Sequence, residues 1–283
     1  METLTFSCHS LGKIMTPTRG KSNIDKYNDA VELLASTNTK YNETKNNETK
    51  NKETITASKL LTKINFLEKE VKELELIKDD VILSETAKSY IEEIWLRNNY
   101  GYKDTVITHE LIKGIVCEKE SIELLIENDS EYREKNTQSF KNDYIHGSPD
   151  VILEEVIEDV KNSWTLKTFF KADISSDYYW QGQGYMALTG KKKYKLTYVL
   201  SDTPPEIVTK EINWQMAKLS YAVTDGCFDK DKIAEQIRKN HTFSHLPIEK
   251  RIKVFEFEYN ESDINKLYKT IDAARIYYNS ISL

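Results

Sequence analysis

Two aspartates and a lysine stand in two short runs of strand-forming residues near the middle of the chain. The runs cover residues 150–153 and 156–161, and only Glu154 and Glu155 separate them. A hairpin that turns between these glutamates pairs residue 153 with residue 156, and therefore Asp150 with Asp159. Side chains opposed in this way share one face of a sheet, with their Cβ atoms about 4.5–5.5 Å apart. Lys161 lies two residues beyond Asp159, so it is expected on the same face.

Acids and an amine in this arrangement have a definite chemistry. Two carboxylates that face each other repel, so a compensating cation is expected between them. Oxygen ligands of this kind select Mg²⁺ or Mn²⁺, which accept one or two carboxylates and keep several waters. A nearby lysine can orient or deprotonate a water, or offset charge on a phosphate. The pattern predicts phosphodiester hydrolysis; the simpler alternative is that Asp150 is a turn residue and that Asp159 and Lys161 form a surface ion pair.

A third acid is found in a predicted helix that covers about residues 106–128. Apolar residues recur along one face of this helix at a spacing of three to four residues. Glu118 falls in the middle of that stripe, where a carboxylate is buried and costly unless a positive group meets it. The stripe consists of Ile107, Leu111, Ile115, Ile122 and Leu125.

Several further elements are predicted around these residues. A helix over 177–188 ends at Gly190, a strand covers 194–200, and the part after residue 206 is mostly helical with one strand at 252–257. Two more helices are expected before the acids, a long one over 58–78 and another from Ser84 to Tyr100 that stops at Gly101. Together these elements predict an α/β fold with a small mixed central sheet flanked by helices.

The composition is that of an ordinary globular protein, and residues 1–283 are expected to form one domain. It has 39% hydrophobic and 30% charged residues and a net charge of −6, so any contact with nucleic acid requires a local basic surface. The repetitive segment at about 22–57 is expected to be a solvated, mobile insertion. Three scattered cysteines, no apolar run of membrane-spanning length and no secretory signal favour a cytoplasmic protein without a membrane anchor.

Residues 147–150 (Gly-Ser-Pro-Asp) and 158–161 (Glu-Asp-Val-Lys) together resemble the PD-(D/E)xK nuclease signature. The chain is most similar in pattern to the YqaJ-like viral recombinase branch, the lambda-exonuclease type of phage enzyme. Four further segments resemble that family in the same order, and the likeness covers about 1–20 and 84–283. These segments are residues 10–16, 113–118, 179–190 and 252–258.

The resemblance implies a restriction-endonuclease-like core and a set of site residues. The metal ligands would be Glu118, Asp150, Asp159 and the carbonyl of Val160, with Lys161 catalytic. Gln181 would support the site or its water. Many family members have Glu where this chain has Asp159, so Glu158 is the rival ligand if the strand bulges.

Contacts with DNA are expected from residues outside the acidic cluster. Lys13, Arg19 and Lys191 are candidates for binding phosphates, although a lysine run can equally be a solvated face. Tyr185 lies one helical turn beyond Gln181 and is also expected to contact DNA. His109 and His146 could reach the metal, but an incidental position is the simpler reading, and His9, His241 and His245 show no metal-binding spacing.

The family likeness implies a function. The leading expectation is a Mg²⁺-dependent (or Mn²⁺-dependent) exonuclease that degrades one strand from double-stranded DNA ends, 5′ to 3′, to leave single-stranded DNA for phage-type recombination. Family members act as ring-shaped trimers beside a single-strand annealing protein. An endonuclease of the same superfamily and a DNA-end-binding scaffold without catalysis are the alternatives.

Overall fold

The computed structural model describes residues 3–46, 53–222 and 229–283. These residues divide between two compact units, one of residues 1–13 and 100–267 and one of residues 14–99 and 268–283, where the sequence predicted one domain. The strands are β1 (Phe6–Ser7), β2 (Phe140–Lys141), β3 (Ile145–Gly147), β4 (Val151–Ile152), β5 (Val156–Asn162), β6 (Lys193–Val199) and β7 (Ile252–Glu258). The helices are α1 (Leu11–Ile14), α2 (Asn23–Asn46), α3 (Glu53–Ile77), α4 (Glu85–Tyr100), α5 (His109–Val116), α6 (Glu118–Asp129), α7 (Leu166–Phe170), α8 (Ser176–Thr189), α9 (Pro205–Ala222), α10 (Lys230–Asn240) and α11 (Glu261–Ser280).

The main sheet of the first unit has the order β4-β5-β6-β7. The β5 and β6 strands are parallel, and the two outer strands run antiparallel to their neighbours. In the β4–β5 hairpin, Val151 pairs with Glu158 and Ile152 with Ile157, and the Leu153 amide donates to the Val156 carbonyl at 2.9 Å. This is the register that the sequence predicted. A second small sheet has the order β1-β3-β2, and the expected α/β fold with small mixed sheets is confirmed.

The main sheet carries a helix on each face. On one face, Ile122 and Leu125 of α6 pack against Val151, Val160 and Val199. On the other, α8 approaches so closely that a Cβ added at Gly182 would lie 2.6 Å from Phe257 and 2.9 Å from Tyr194. The α8 helix begins at a Ser175 cap and ends at Gly190, whose φ of +77° suits glycine, so the predicted helix is confirmed.

The predicted helix over 106–128 is wrong in one respect, because two helices occupy this stretch. They meet at Cys117, which has φ −91° and ψ 2°, and α5 starts behind a Thr108 cap. Of the predicted apolar stripe, Ile122 and Leu125 are buried in α6, whereas the α5 side of the stripe is exposed. The inward side chain of α5 is instead Lys113, which lies about 200° around the helix from Leu111 and Ile115.

The second unit contains a pair of packed helices, α2 and α3. The long helix that the sequence predicted is present as α3, with Ile64 and Leu67 buried. The segment predicted as a solvated insertion is wrong for residues 23–46, because they form α2 and bury Ala30 and Thr37. These two buried residues are seven positions apart, so they lie on one face of the helix. The sequence did not predict this packed face because most of the residues around them are polar. Residues 47–52 of the predicted insertion lie outside the described residues.

Two smaller expectations concern membrane-spanning helices and the cysteines. No helix in the described part of the chain is both long enough and apolar enough to cross a bilayer. Cys8 and Cys117 are buried free thiols, and Cys227 lies outside the described residues.

Candidate active site

Asp150, Asp159 and Lys161 come together at the β4–β5 hairpin, as the sequence predicted. Asp159 and Lys161 project from the α8 face of β5, and Asp150 directly precedes β4 in the paired register. One carboxylate oxygen of Asp150 accepts the Val160 amide at 2.9 Å. Lys161 Nζ lies 2.5 Å from Asp159 Oδ2, and the Asp159 side chain is fully buried. The surface ion pair that was the simpler alternative is therefore excluded.

The electrostatics of this cluster are those of crowded acids. Burial raises the pKa of Asp150 to about 7, and the negative charges of Asp159 and Glu118 add to the rise. For Lys161, burial alone would lower the pKa, but the carboxylates of Asp159 and Asp150 outweigh it and raise the pKa above its usual value. Lys161 is therefore held as an ammonium in this arrangement, and it neutralises charge rather than accepting a proton.

Glu118 lies at the edge of the same cleft but is positioned differently from the prediction. It is the first residue of α6 rather than the middle of a helical stripe, and its carboxylate accepts a hydrogen bond from Lys135. Lys135 is held beside it because it forms a bridge to Val151 on the outer side of β4. Among the described residues, no three His, Cys, Asp or Glu side chains converge in a group that could hold a metal ion. In this arrangement Lys135 and Lys161 neutralise the acids.

Gln181 faces the acids from α8. Its Nε2 donates to Asp159 Oδ1 at 3.2 Å and to the Tyr185 hydroxyl at 3.3 Å. The predicted orientation of Gln181 toward the site is therefore confirmed, and so is the spacing that puts Tyr185 on the same side. Tyr185 is buried, however, so the prediction that it contacts DNA is wrong and its place is behind Gln181.

Glu158, the rival ligand, points to the opposite face of β5. Its carboxylate accepts from Arg133 Nε at 2.7 Å and from the Thr197 hydroxyl at 2.6 Å, and both acid and arginine are buried. Regular pairing on both sides of β5 leaves no bulge that could exchange the two acids. Asp159 is therefore the acid that faces Lys161.

Several residues of the site were not expected from the sequence. The Tyr178 ring centroid lies 5.2 Å from Lys161 Nζ. The pKa of His9 is lowered, mainly by burial. The charge of Lys161 lowers this pKa further and the charge of Asp159 raises it, so His9 lies close to both residues. Trp164 contributes to the wall of the cleft. No sequence pattern around these aromatic residues or this histidine predicts that they lie near the acids, because their positions depend on tertiary packing.

Lys113 is the least expected of these residues, because it is a lysine with no solvent-exposed surface. Its Nζ donates to the carbonyl oxygens of Ser163 and Ser201, each at 2.8 Å, just beyond the ends of the parallel strands β5 and β6. Burial lowers its pKa to about 8. Since Lys113 ties α5 to these strand ends, the exposed apolar side of α5 borders the cleft through Leu111 and Ile115.

The cleft over these residues has a volume of about 540 Å³. Its walls bring together the end of α5, the start of α6, the hairpin and the segment that leads into α7. The residues that carry its chemistry are Glu118, Asp150, Lys161 and Tyr178. A space of this size accommodates a nucleotide-sized group beside the acids.

The remaining predicted contacts lie outside this cleft. Lys13 is exposed near the end of α1, and Arg19 is exposed in the second unit. Lys191 Nζ donates to the Glu154 carbonyl at 2.5 Å, at the turn of the hairpin. His109 pairs with Glu211 at 2.8 Å and His146 with Thr5 at 3.0 Å, in agreement with their expected incidental roles.

Comparison with solved structures identifies the fold. The chain is similar to a phage-related exonuclease from Haemophilus somnus 129PT, with a TM-score of 0.61 and 19% identity over 98% of this chain and 94% of that chain. It is also similar to the alkaline exonuclease LHK-Exo from Laribacter hongkongensis, with a TM-score of 0.48 and 12% identity over 71% of this chain and 83% of that chain. No family model and no curated protein matches the chain. The first likeness shows that this chain has the fold of the phage-related exonuclease.

Proposed function

We propose that this protein is a metal-dependent exonuclease that acts on the ends of double-stranded DNA. The observation that carries the proposal is the position of Asp150, Asp159 and Lys161 on one side of the β4–β5 hairpin, in a fold shared with a phage-related exonuclease. Crowded acids of this kind, with a lysine beside them, form the recurring arrangement for metal-assisted phosphodiester hydrolysis. The order of the family-like motifs along the chain supports the same assignment.

The donor set suits Mg²⁺ or Mn²⁺, which take one or two protein carboxylates and complete their coordination with water. The buried Asp159 Oδ2 has the Lys161 ammonium at 2.5 Å, yet burial and the negative charge of Asp159 still raise the pKa of Asp150 to about 7. These are the signs of a site that gains from a divalent cation. Asp150, Asp159 and the Val160 carbonyl would hold the ion, and Glu118 would join them after leaving Lys135.

The bound ion would stabilise charge on the scissile phosphate and activate a water. The side chains have separate tasks around it. Lys161, held as an ammonium, neutralises negative charge at the phosphate. Gln181 fixes the orientation of the Asp159 carboxylate through its 3.2 Å hydrogen bond, and Tyr185 in turn restrains Gln181. Lys13, Arg19 and Lys191 are proposed to bind phosphates of the DNA backbone.

The finer features of the activity follow the family likeness. We propose 5′ to 3′ cleavage that leaves single-stranded DNA for recombination, a homotrimeric state, a single-strand annealing protein as partner and a cytoplasmic location. None of these features depends on the positions of the acids alone.

The test compares wild type with Lys161→Ala and Asp150→Asn on linear duplex labelled at its 5′ or 3′ end. We expect nucleotides to be released with Mg²⁺ and not with EDTA, and closed circular DNA to remain intact. Lys161→Ala should lower the rate by about 10²- to 10³-fold while DNA binding persists, because the lost cation acts on the reacting phosphate. Lys232→Ala, an exposed lysine of α10, is the matched control and should cleave as wild type does.

The outcomes separate the alternatives. Equal cutting of linear and circular DNA would assign the protein to the endonucleases. End binding without release of nucleotides, in Mg²⁺ and in Mn²⁺, would assign it to the non-catalytic scaffolds. Full activity of Lys161→Ala would remove the site assignment.

A further inference from the structure

A second and larger cavity lies beside the candidate active site. This groove has a volume of about 1130 Å³ and runs between α7 and the stretch from the end of α10 to the start of β7. Its floor is apolar, because Phe169, Phe243 and Leu246 line it and belong to a small hydrophobic cluster with Leu200. An open apolar groove of this size calls for a ligand that covers it.

The groove is positive in a protein that is negative overall. Four lysines line it, and the described residues that line it include no aspartate or glutamate, whereas the chain has a net charge of −6. Lys253 is partly engaged, because its Nζ donates to the Ala172 carbonyl at 2.7 Å, and Lys239 pairs with Glu235 at 2.8 Å. Lys167 and Lys250 are exposed. The ligand is therefore expected to be an anion.

An exposed aromatic ring stands at the same groove. Phe170 is 81% exposed and Leu166 53% exposed, although large apolar side chains are usually covered. Lysines that follow a phosphate backbone and an aromatic side chain on which bases stack are the two parts of a binding surface for single-stranded nucleic acid.

The groove adjoins the candidate active site across one short helix. Ser163, Trp164 and Thr168 line the cleft, whereas Thr165, Lys167 and Phe169 line the groove. The two cavities therefore share the wall that is formed by α7 and the turn that leads into it. The undegraded strand, separated from its complement at the cleft, can reach the groove by crossing α7.

We propose that this groove binds the DNA strand that remains single-stranded while its complement is hydrolysed at the active site, with its phosphates on Lys167 and Lys250 and a base stacked on Phe170. The proposal rests on the proposed nuclease function, because continuity with the cleft is what favours DNA over an acidic protein segment. A bound strand would hold the substrate between rounds of cleavage and would promote processive degradation.

The test measures the binding of a fluorescein-labelled oligothymidylate of 12 nucleotides by anisotropy, in EDTA. Phe170→Ala should weaken binding by about 5- to 150-fold, which is the effect of one stacked base, and Phe170→Trp should retain it. Lys167→Ala/Lys250→Ala should flatten the dependence of log affinity on log salt by about 1.4, or about 0.7 for each lost phosphate contact. Lys210→Ala/Lys232→Ala removes two exposed lysines outside the groove and should leave both quantities unchanged.

The substituted groove side chains are exposed, so circular dichroism should confirm that the variants are folded. Because binding is measured in EDTA, the result tests the proposed DNA-binding groove whether or not the wild type cleaves DNA. Unchanged affinity and salt dependence in both groove variants would overturn the proposal and favour an acidic protein segment instead. In an active enzyme, Phe170→Ala should also shorten the tract degraded per binding event.

Discussion

The buried pair of Arg133 and Glu158 offers a direct test of how this fold decides which acid faces the cleft. The Arg133 side chain is 2% exposed, and its guanidinium bonds Glu158 at 2.7 Å and both carboxylate oxygens of Asp129 at 2.7 Å. Among the described residues, Glu158 has only the Thr197 hydroxyl as a further hydrogen-bond partner. Removal of the arginine therefore isolates a buried carboxylate, whereas removal of the glutamate leaves the arginine with Asp129 and Glu131.

This asymmetry sets the expected free energies of unfolding. Arg133→Met should destabilise the protein by about 3–5 kcal/mol, because it leaves a buried charge without a partner. Glu158→Gln should cost only about 1–2 kcal/mol, because the amide still accepts a hydrogen bond and the arginine remains paired. The double variant Arg133→Met/Glu158→Gln contains no buried charge without a partner, because Asp129, which also loses the arginine, is 39% exposed. It should therefore be more stable than Arg133→Met alone by about 2 kcal/mol.

Chemical denaturation in EDTA, followed by tryptophan fluorescence, measures these differences. If the double variant were as unstable as Arg133→Met, the argument from an unpaired buried charge would be refuted. The same variants test the site, because Glu158 points away from Lys161. Glu158→Gln should therefore cleave DNA at a rate within a few-fold of wild type, whereas Asp159→Asn should be inactive.

Two further predictions concern packing and pH. Burial holds the pKa of Lys113 at about 8 against 10.5 for a free lysine, so between these values the unfolded chain binds a proton that the folded chain has released. The difference in free energy of unfolding between wild type and Lys113→Met should thus shift in favour of wild type by up to about 3 kcal/mol from pH 7.5 to 10.5. If this difference did not change with pH, the burial of the Lys113 amine would be contradicted. Gly182→Ala should destabilise the protein by about 1–3 kcal/mol, because the new Cβ would lie 2.6 Å from Phe257. Gly114→Ala in α5, with no atom within 4 Å of its Cβ, should be neutral or stabilising, and equal effects on thermal unfolding would contradict the close packing of α8.

The sequence by itself determined the local geometry of the candidate site. Pairing across the Glu154-Glu155 turn follows from counting residues, and the alternation of side chains along a strand then puts Asp159 and Lys161 on one face. The α8 helix was equally predictable, because its terminal glycine is a signal in the local sequence. Gln181 and Tyr185 follow from the spacing of one helical turn.

Tertiary structure alone decided the parts that depend on distant partners. Hydrophobic periodicity predicted one helix over 106–128, but two carbonyls at the ends of β5 and β6 provide partners for Lys113, and α5 therefore turns its apolar stripe outward. Glu118 consequently begins a helix and contacts Lys135 instead of lying in a buried stripe. The choice between Glu158 and Asp159 depended on a strand that pairs without a bulge, and Arg133, 25 residues away along the chain, provides the partner for Glu158 on the opposite face. A charged side chain can be buried wherever a distant group compensates it, and no local pattern records where that group will be.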